Sequence, residues 1–108
     1  MDINRTGRLN VPTPGTPVPL SDNPDATASK LFFQVIPGLT GRMYIGMPGM
    51  SKATLSAVAR VLAPNPTGGF SENFEIESQD GEDSIRLNQY AIDADVAGEG
   101  LLVTWWTE

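Results

Sequence analysis

The chain has 108 residues, enough for one domain with a modest core. It contains no cysteine and no histidine, which excludes disulfides and thiolate metal sites and removes the commonest general base. The formal charge of −6 is uneven, since residues 55–108 carry ten acidic and two basic side chains, and residues 1–54 carry three and five. An acidic half repels a phosphate backbone, which disfavours nucleic-acid binding, and no apolar run is long enough to span a membrane.

Residues 1–24 differ from the rest because they hold five of the nine prolines. Proline cannot donate to a sheet ladder and favours an extended path, so the segment is either a mobile tail or an arm laid along another surface. Residues 18–21 are also compatible with an edge strand. Apolar and basic side chains in the same segment would anchor an arm. The predicted partner-binding residues of the arm are Ile3, Arg5, Arg8, Leu9 and Val11.

The next segment predicts two strands. Residues 29–36 and 42–47 alternate in apolar character, and Pro37-Gly38 and Thr40-Gly41 mark a turn between them. We therefore predict a hairpin over residues 29–47. Met43, Ile45 and Met47 would share one face, and Gly46 would mark a bulge or a close backbone approach.

Residues 51–63 allow two structures. Apolar residues at helical spacing, with Pro64 as a stop signal, fit a helix; the same residues fit a loop followed by a strand over 57–62. The strand pattern on either side favours the loop and strand, because tertiary context commonly overrides local propensity.

The C-terminal third predicts further strands. Residues 70–77 alternate weakly, and Asp80-Gly81 is a hairpin signal. Two strands follow, over 85–96 and 101–107, joined by a tight turn at 97–100; a short turn at 87–90 interrupts the first. The last strand is apolar on both faces, so it requires cover from the core on one face and from a sheet, loop or partner on the other. Trp105 and Trp106 point to opposite faces: one belongs to the core, and the other, Trp106, is either a second core residue or a partner-binding anchor.

Six to eight short strands separated by turns indicate an all-β fold, an antiparallel β-sandwich or barrel. We divide the chain into a Pro-rich extended N-terminal arm, residues 1–24, and a β-domain, residues 25–108.

Catalytic chemistry has little support in the sequence. No nucleophilic triad can be built without histidine or cysteine, and Gly98-Glu99-Gly100 stands in the wrong context for dinucleotide binding. Asp93, Asp95 and Glu99 offer the oxygen ligands that Ca²⁺ prefers, but their spacing does not match a calcium loop. The alternative is a solvated acidic face that discourages edge-to-edge aggregation. We expect a protein that is not an enzyme and holds no cofactor or metal.

Several motifs carry a family resemblance over roughly residues 29–106. Gly41-Arg-Met-Tyr-Ile-Gly46, the segment Leu87-Asn-Gln-Tyr-Ala-Ile-Asp93 and the final Gly98-Glu-Gly-Leu-Leu-Val103 resemble small tailed-bacteriophage virion proteins. Such proteins are jelly-roll-like β-sandwiches that decorate or cement the capsid. The resemblance implies a single jelly-roll-like sandwich with a structural, non-catalytic role, binding the major capsid protein and itself as a dimer or trimer. It also implies synthesis in the host cytoplasm and a place on the capsid exterior of the virion.

A second function remains open at this point. Similar β-sandwiches serve in phage tails and necks, so the chain is alternatively a carbohydrate- or receptor-binding module. That function would require an exposed Trp106 or Tyr44 on which a sugar could stack.

Overall fold

The structure is a computed structural model that describes residues 2–68 and 71–107. These residues form ten strands and a single turn of 3₁₀ helix, Leu87–Gln89. The strands are β1 (Asp2–Asn10), β2 (Val18–Pro19), β3 (Thr27–Ala28), β4 (Lys30–Val35), β5 (Met43–Ser51), β6 (Ser56–Leu62), β7 (Asn73–Glu77), β8 (Ile85–Arg86), β9 (Ala91–Ala94) and β10 (Gly100–Thr107). The prediction of an all-β fold is confirmed.

Two four-stranded sheets dominate the fold, and every strand pairing in them is antiparallel. The first sheet has the order β1-β10-β4-β7 and the second the order β2-β9-β5-β6, while β3 and β8 form a separate pair. The largest cluster of buried side chains draws on both sheets, with Phe33 and Val103 from the first and Ile45 and Ile92 from the second. Burying these side chains together supplies the main favourable term for folding.

The N-terminal segment lies along the protein's own sheets. β1 pairs with β10 from Asp2 opposite Thr107 to Asn10 opposite Gly100, and β2 pairs with β9. Between these strands, Val11 is fully buried and exchanges backbone hydrogen bonds with the turn at Gly98 and Glu99. β1 and β2 are both edge strands, and the edge position of β2 tolerates Pro19, which has no N–H to donate.

The predicted hairpin over residues 29–47 is wrong, although both of its strands exist. β4 lies in the first sheet and β5 in the second, so the turn at 36–42 carries the chain from one sheet to the other. The two C-terminal strands, β9 and β10, are likewise joined by a turn but lie in different sheets. Glycine and proline signals mark a chain reversal, but pairing partners depend on distant residues that a local pattern does not contain.

Other local predictions have mixed outcomes. The loop and strand predicted for residues 51–63 are confirmed, because β6 spans Ser56–Leu62 and pairs with β5. The hairpin predicted at Asp80-Gly81 is wrong, since β7 belongs to the first sheet and β8 pairs with β3. The strand predicted over 70–77 is present from Asn73; Phe70 lies outside the described residues.

Gly46 fits the prediction of a bulge and a close approach. The β5–β6 register shifts between Ile45 and Gly46, and a Cβ atom at Gly46 would lie 2.3 Å from the carbonyl oxygen of Ala57. The predicted grouping of Met47 with the buried Met43 and Ile45 is wrong: Met47 is 60% exposed, because it follows this bulge.

We expect Gly46→Ala to destabilise the fold by about 2 kcal/mol or more, because backbone atoms of β6 would have to move away from the new methyl group. Gly49→Ala is the matched control, since Gly49 lies in the same strand and a Cβ there meets nothing within 4 Å. It should change stability by less than about 0.5 kcal/mol. Urea unfolding followed by tryptophan fluorescence measures both, and equal effects of the two variants would contradict the close approach.

Candidate interaction surface

Strand β10 carries apolar side chains on both of its faces. Leu101, Val103 and Trp105 point into the core and are buried. Leu102 and Trp106 point to the opposite face, where Leu102 is 37% exposed and Trp106 is half-buried. The two tryptophans therefore lie on opposite faces, as predicted, and Trp105 is the core residue.

The strands beside β10 extend this second face. Ile3 of β1 lies opposite Trp106, and its side chain is 61% exposed. On the other side Phe32 of β4 lies opposite Thr104 and is half-buried. We call this surface the Trp106 face; it consists of Ile3, Thr6, Arg8, Lys30, Phe32, Gln34, Asn73, Glu75, Glu77, Leu102, Thr104 and Trp106.

Polar contacts link neighbouring strands across the Trp106 face. The hydroxyl groups of Thr6 and Thr104 are hydrogen-bonded across β1 and β10 at 3.0 Å. The Lys30 ammonium lies 5.1 Å from the centre of the Trp106 ring and 3.2 Å from the Glu75 carboxylate of β7. A cation over the face of an indole is attracted by the ring, so Lys30 links Trp106 of β10 to Glu75 of β7.

Only some of the predicted arm residues reach this surface. Ile3 lies on the Trp106 face, and so does the exposed Arg8, which is opposite Leu102. Arg5 is used inside the protein: its guanidinium lies 5.3 Å from the Trp105 ring and donates to the Val103 carbonyl at 3.2 Å. Leu9 packs against the core, and Val11 is fully buried in it, so neither presents a free side chain on the single chain.

Two of the three carboxylates considered as calcium ligands bind backbone amides instead. Asp93 is 1% exposed, so the prediction of a solvated face is wrong for it. Its Oδ1 accepts hydrogen bonds from the amides of Gly15, at 3.0 Å, and Ala94, at 2.8 Å. The Glu99 carboxylate accepts from the amides of Thr40, at 3.1 Å, and Gly41, at 2.8 Å.

The third carboxylate, Asp95, is held by three side chains. Tyr44 donates its phenol to Asp95 at 3.0 Å, Lys52 lies 3.4 Å away and Arg42 lies 3.3 Å away. Partial burial would raise the pKa of Asp95, but the hydrogen bonds from Tyr44, Arg42 and Lys52 together hold this pKa below its usual value. Burial, and next the hydrogen bond to Asp95, raise the pKa of Tyr44.

The sequence analysis did not select Phe32 or Leu102 as surface residues. The signal for both was present, because the last strand is apolar on both faces and Phe32 alternates with the core residues Leu31 and Phe33. Alternation shows that two sets of side chains exist, but not which set a second layer covers.

The structure was also searched for metal-binding clusters and membrane-spanning helices, and the chain was compared with known proteins. Within residues 2–68 and 71–107, no group of three or more acidic, histidine or cysteine side chains is placed to hold a metal ion. No helix in the same part of the chain has the length and apolar character needed to cross a bilayer. Comparisons with protein-family models, curated proteins and solved structures found no match.

The Asp95 cluster predicts a dependence of stability on acid pH. Because its folded-state pKa lies below the unfolded value, about 3.9, ionised Asp95 stabilises the fold above that pH. The contribution is lost as the pH falls through the folded-state pKa. Asp95→Asn should therefore lower stability by about 1 kcal/mol at neutral pH, since the cluster is partly exposed.

Thermal unfolding from neutral pH to about pH 3 tests this prediction. The difference in melting temperature between the native protein and Asp95→Asn should become smaller below about pH 4. Asp22→Asn is the control, because Asp22 is exposed and its substitution should leave the profile unchanged. A difference in melting temperature that stays constant over the whole pH range would show that the charge of Asp95 does not contribute to stability.

Proposed function

We propose that the chain is a non-catalytic structural protein of a tailed-phage virion that binds and stabilises the assembled capsid through the Trp106 face. One observation carries the proposal: β10 is apolar on both faces, and the described strands and loops leave Leu102 37% exposed on the second face. We take the capsid as the partner because the motifs between residues 40 and 106 resemble those of capsid decoration and cement proteins.

The finer fold belongs to the same proposal. We infer that the two four-stranded sheets pack as one jelly-roll-like β-sandwich, because a single core cluster draws on both. A sandwich leaves one face of each sheet free for partners. In the first sheet that free face is the Trp106 face.

The composition of the Trp106 face suits attachment to protein. Tryptophan and phenylalanine are common at interface centres, where a few buried aromatic side chains supply most of the binding energy. A face of four short strands is small for a stable interface, so a single contact would be weak. Self-association of several copies on a symmetric shell would compensate for this weak single contact. Once one copy is bound, the contacts of the copies attached to it form more readily, which raises the overall avidity.

The alternative, a carbohydrate- or receptor-binding module of a tail or neck, has less support. Tyr44 is only 4% exposed and is hydrogen-bonded to Asp95, so its ring offers no platform for a sugar. At Trp106, the Lys30 ammonium already occupies a position over the ring. A stacking sugar on that side would have to displace it.

Co-sedimentation with assembled capsids tests the proposal. The native protein should pellet with capsids and stay in the supernatant with free capsid subunits. Trp106→Ala and Leu102→Glu should each weaken capsid binding by about tenfold or more, because truncation of a central anchor or a buried charge removes much of the interface energy.

Leu55→Asn is the matched control for this experiment. Leu55 is 54% exposed on the β5–β6 turn, with a φ of 59° that asparagine tolerates. The control should bind capsids like the native protein. Failure of the native protein to bind shells would refute the capsid role, and quenching of tryptophan fluorescence by glycans would then favour the module.

A further inference from the structure

The Trp106 face carries charged side chains of both signs, and two of them neutralise each other. The Lys30 ammonium lies 3.2 Å from the Glu75 carboxylate. The guanidinium of Arg8 donates to uncharged oxygen atoms, and no carboxylate of the described residues lies within ion-pair distance of it. Glu77 is exposed and likewise has no ion pair with any residue that the structure describes. Arg8 and Glu77 therefore keep their charges for a partner.

These two unpaired charges lie at opposite corners of the face. Arg8 is on β1, level with Leu102, whereas Glu77 is on β7, level with Lys30 and Trp106. The corners are three inter-strand spacings apart across the sheet and four residues apart along β10, a separation of about 20 Å. Exposed charges are screened over about 10 Å at moderate salt, so each corner acts on a partner independently.

Apolar side chains occupy the surface between the two corners. Leu102 is 37% exposed, and Phe32 and Trp106 are half-buried. When such a centre is covered, it supplies most of the binding energy, while charges at the rim set the orientation and the rate of association. The face therefore combines a centre that binds with two corners that select an orientation.

We propose that the Trp106 face docks on the capsid protein in one orientation, with a lysine or arginine of that protein at Glu77 and a carboxylate at Arg8. This inference rests on the proposed function and adds to it the chemistry of the partner surface. Turning the partner by half a turn about the normal to the face would place like charges together at both corners, which lowers affinity. A second copy of this chain is a poorer occupant, because each copy carries a net charge of −6 that opposes association.

Association rates with immobilised capsids test the orientation. Glu77→Lys makes the chain less negative and Arg8→Glu makes it more negative, so an effect of net charge alone would change the two rates in opposite directions. We expect both variants to bind at least about threefold more slowly than the native protein at low salt, because each places like charges at one corner. In about 0.5 M salt the difference should fall below about twofold, since exposed charges are then screened.

Asp22→Lys and Arg60→Glu are the matched controls for this experiment. Both residues are exposed and lie outside the Trp106 face, Arg60 on β6 of the second sheet and Asp22 between β2 and β3. Their changes of charge equal those of Glu77→Lys and Arg8→Glu, respectively. Each test variant should bind more slowly than its own control, and circular dichroism melts establish that all four variants are folded.

Other outcomes would overturn the inference, and they separate it from the proposed function. If capsid binding is weakened by Trp106→Ala but the two test variants behave like their controls, the corners do not set the orientation and the capsid role stands. If the native protein binds no capsids, both proposals fail. A dimer of the native protein in sedimentation velocity that Trp106→Ala dissociates would show that a second copy occupies the face.

Discussion

The whole structure depends on the pairing of β10 with two strands from distant parts of the chain. β1 covers one edge of β10 and β4 the other, so the last strand of the sequence becomes a central strand of the first sheet. The approach to β1 is close: a Cβ atom at Gly100 would lie 1.9 Å from the carbonyl oxygen of Leu9. With both edges satisfied, β10 can bury Val103 and Trp105 and still present Trp106 on the opposite face.

Acidic side chains fix the segments that cross between the sheets. Asp93 holds the proline-rich segment through the amide of Gly15, and Glu99 holds the turn between β4 and β5 through Thr40 and Gly41. Asp95 gathers side chains from β5 and the turn after it. A carboxylate that accepts backbone N–H bonds satisfies donors that an irregular segment would otherwise leave unpaired. Part of the negative charge of the C-terminal half is therefore structural.

The sequence alone determined the all-β class, most strand positions and the alternation of β4, because period-two patterns and glycine or proline breaks act over a few residues. It also predicted a bulge or close approach at Gly46. Because Trp105 and Trp106 are adjacent in a strand, it predicted that they point to opposite faces. Tertiary structure decided the pairing. The strands on either side of Pro37-Gly38 were predicted to pair as a hairpin, yet that turn crosses between sheets, and so does the turn at Gly98-Glu99-Gly100.

The same distinction holds for the candidate surface. The sequence analysis selected Ile3, Arg8 and Trp106, which the fold places on one face. Only the fold revealed that Val11 is buried in the core and that the buried Asp93 binds the amide of Gly15. A local pattern states which side chains share a face. Which face is covered depends on contacts between residues that are distant in sequence, and these become fixed only when the sheets assemble.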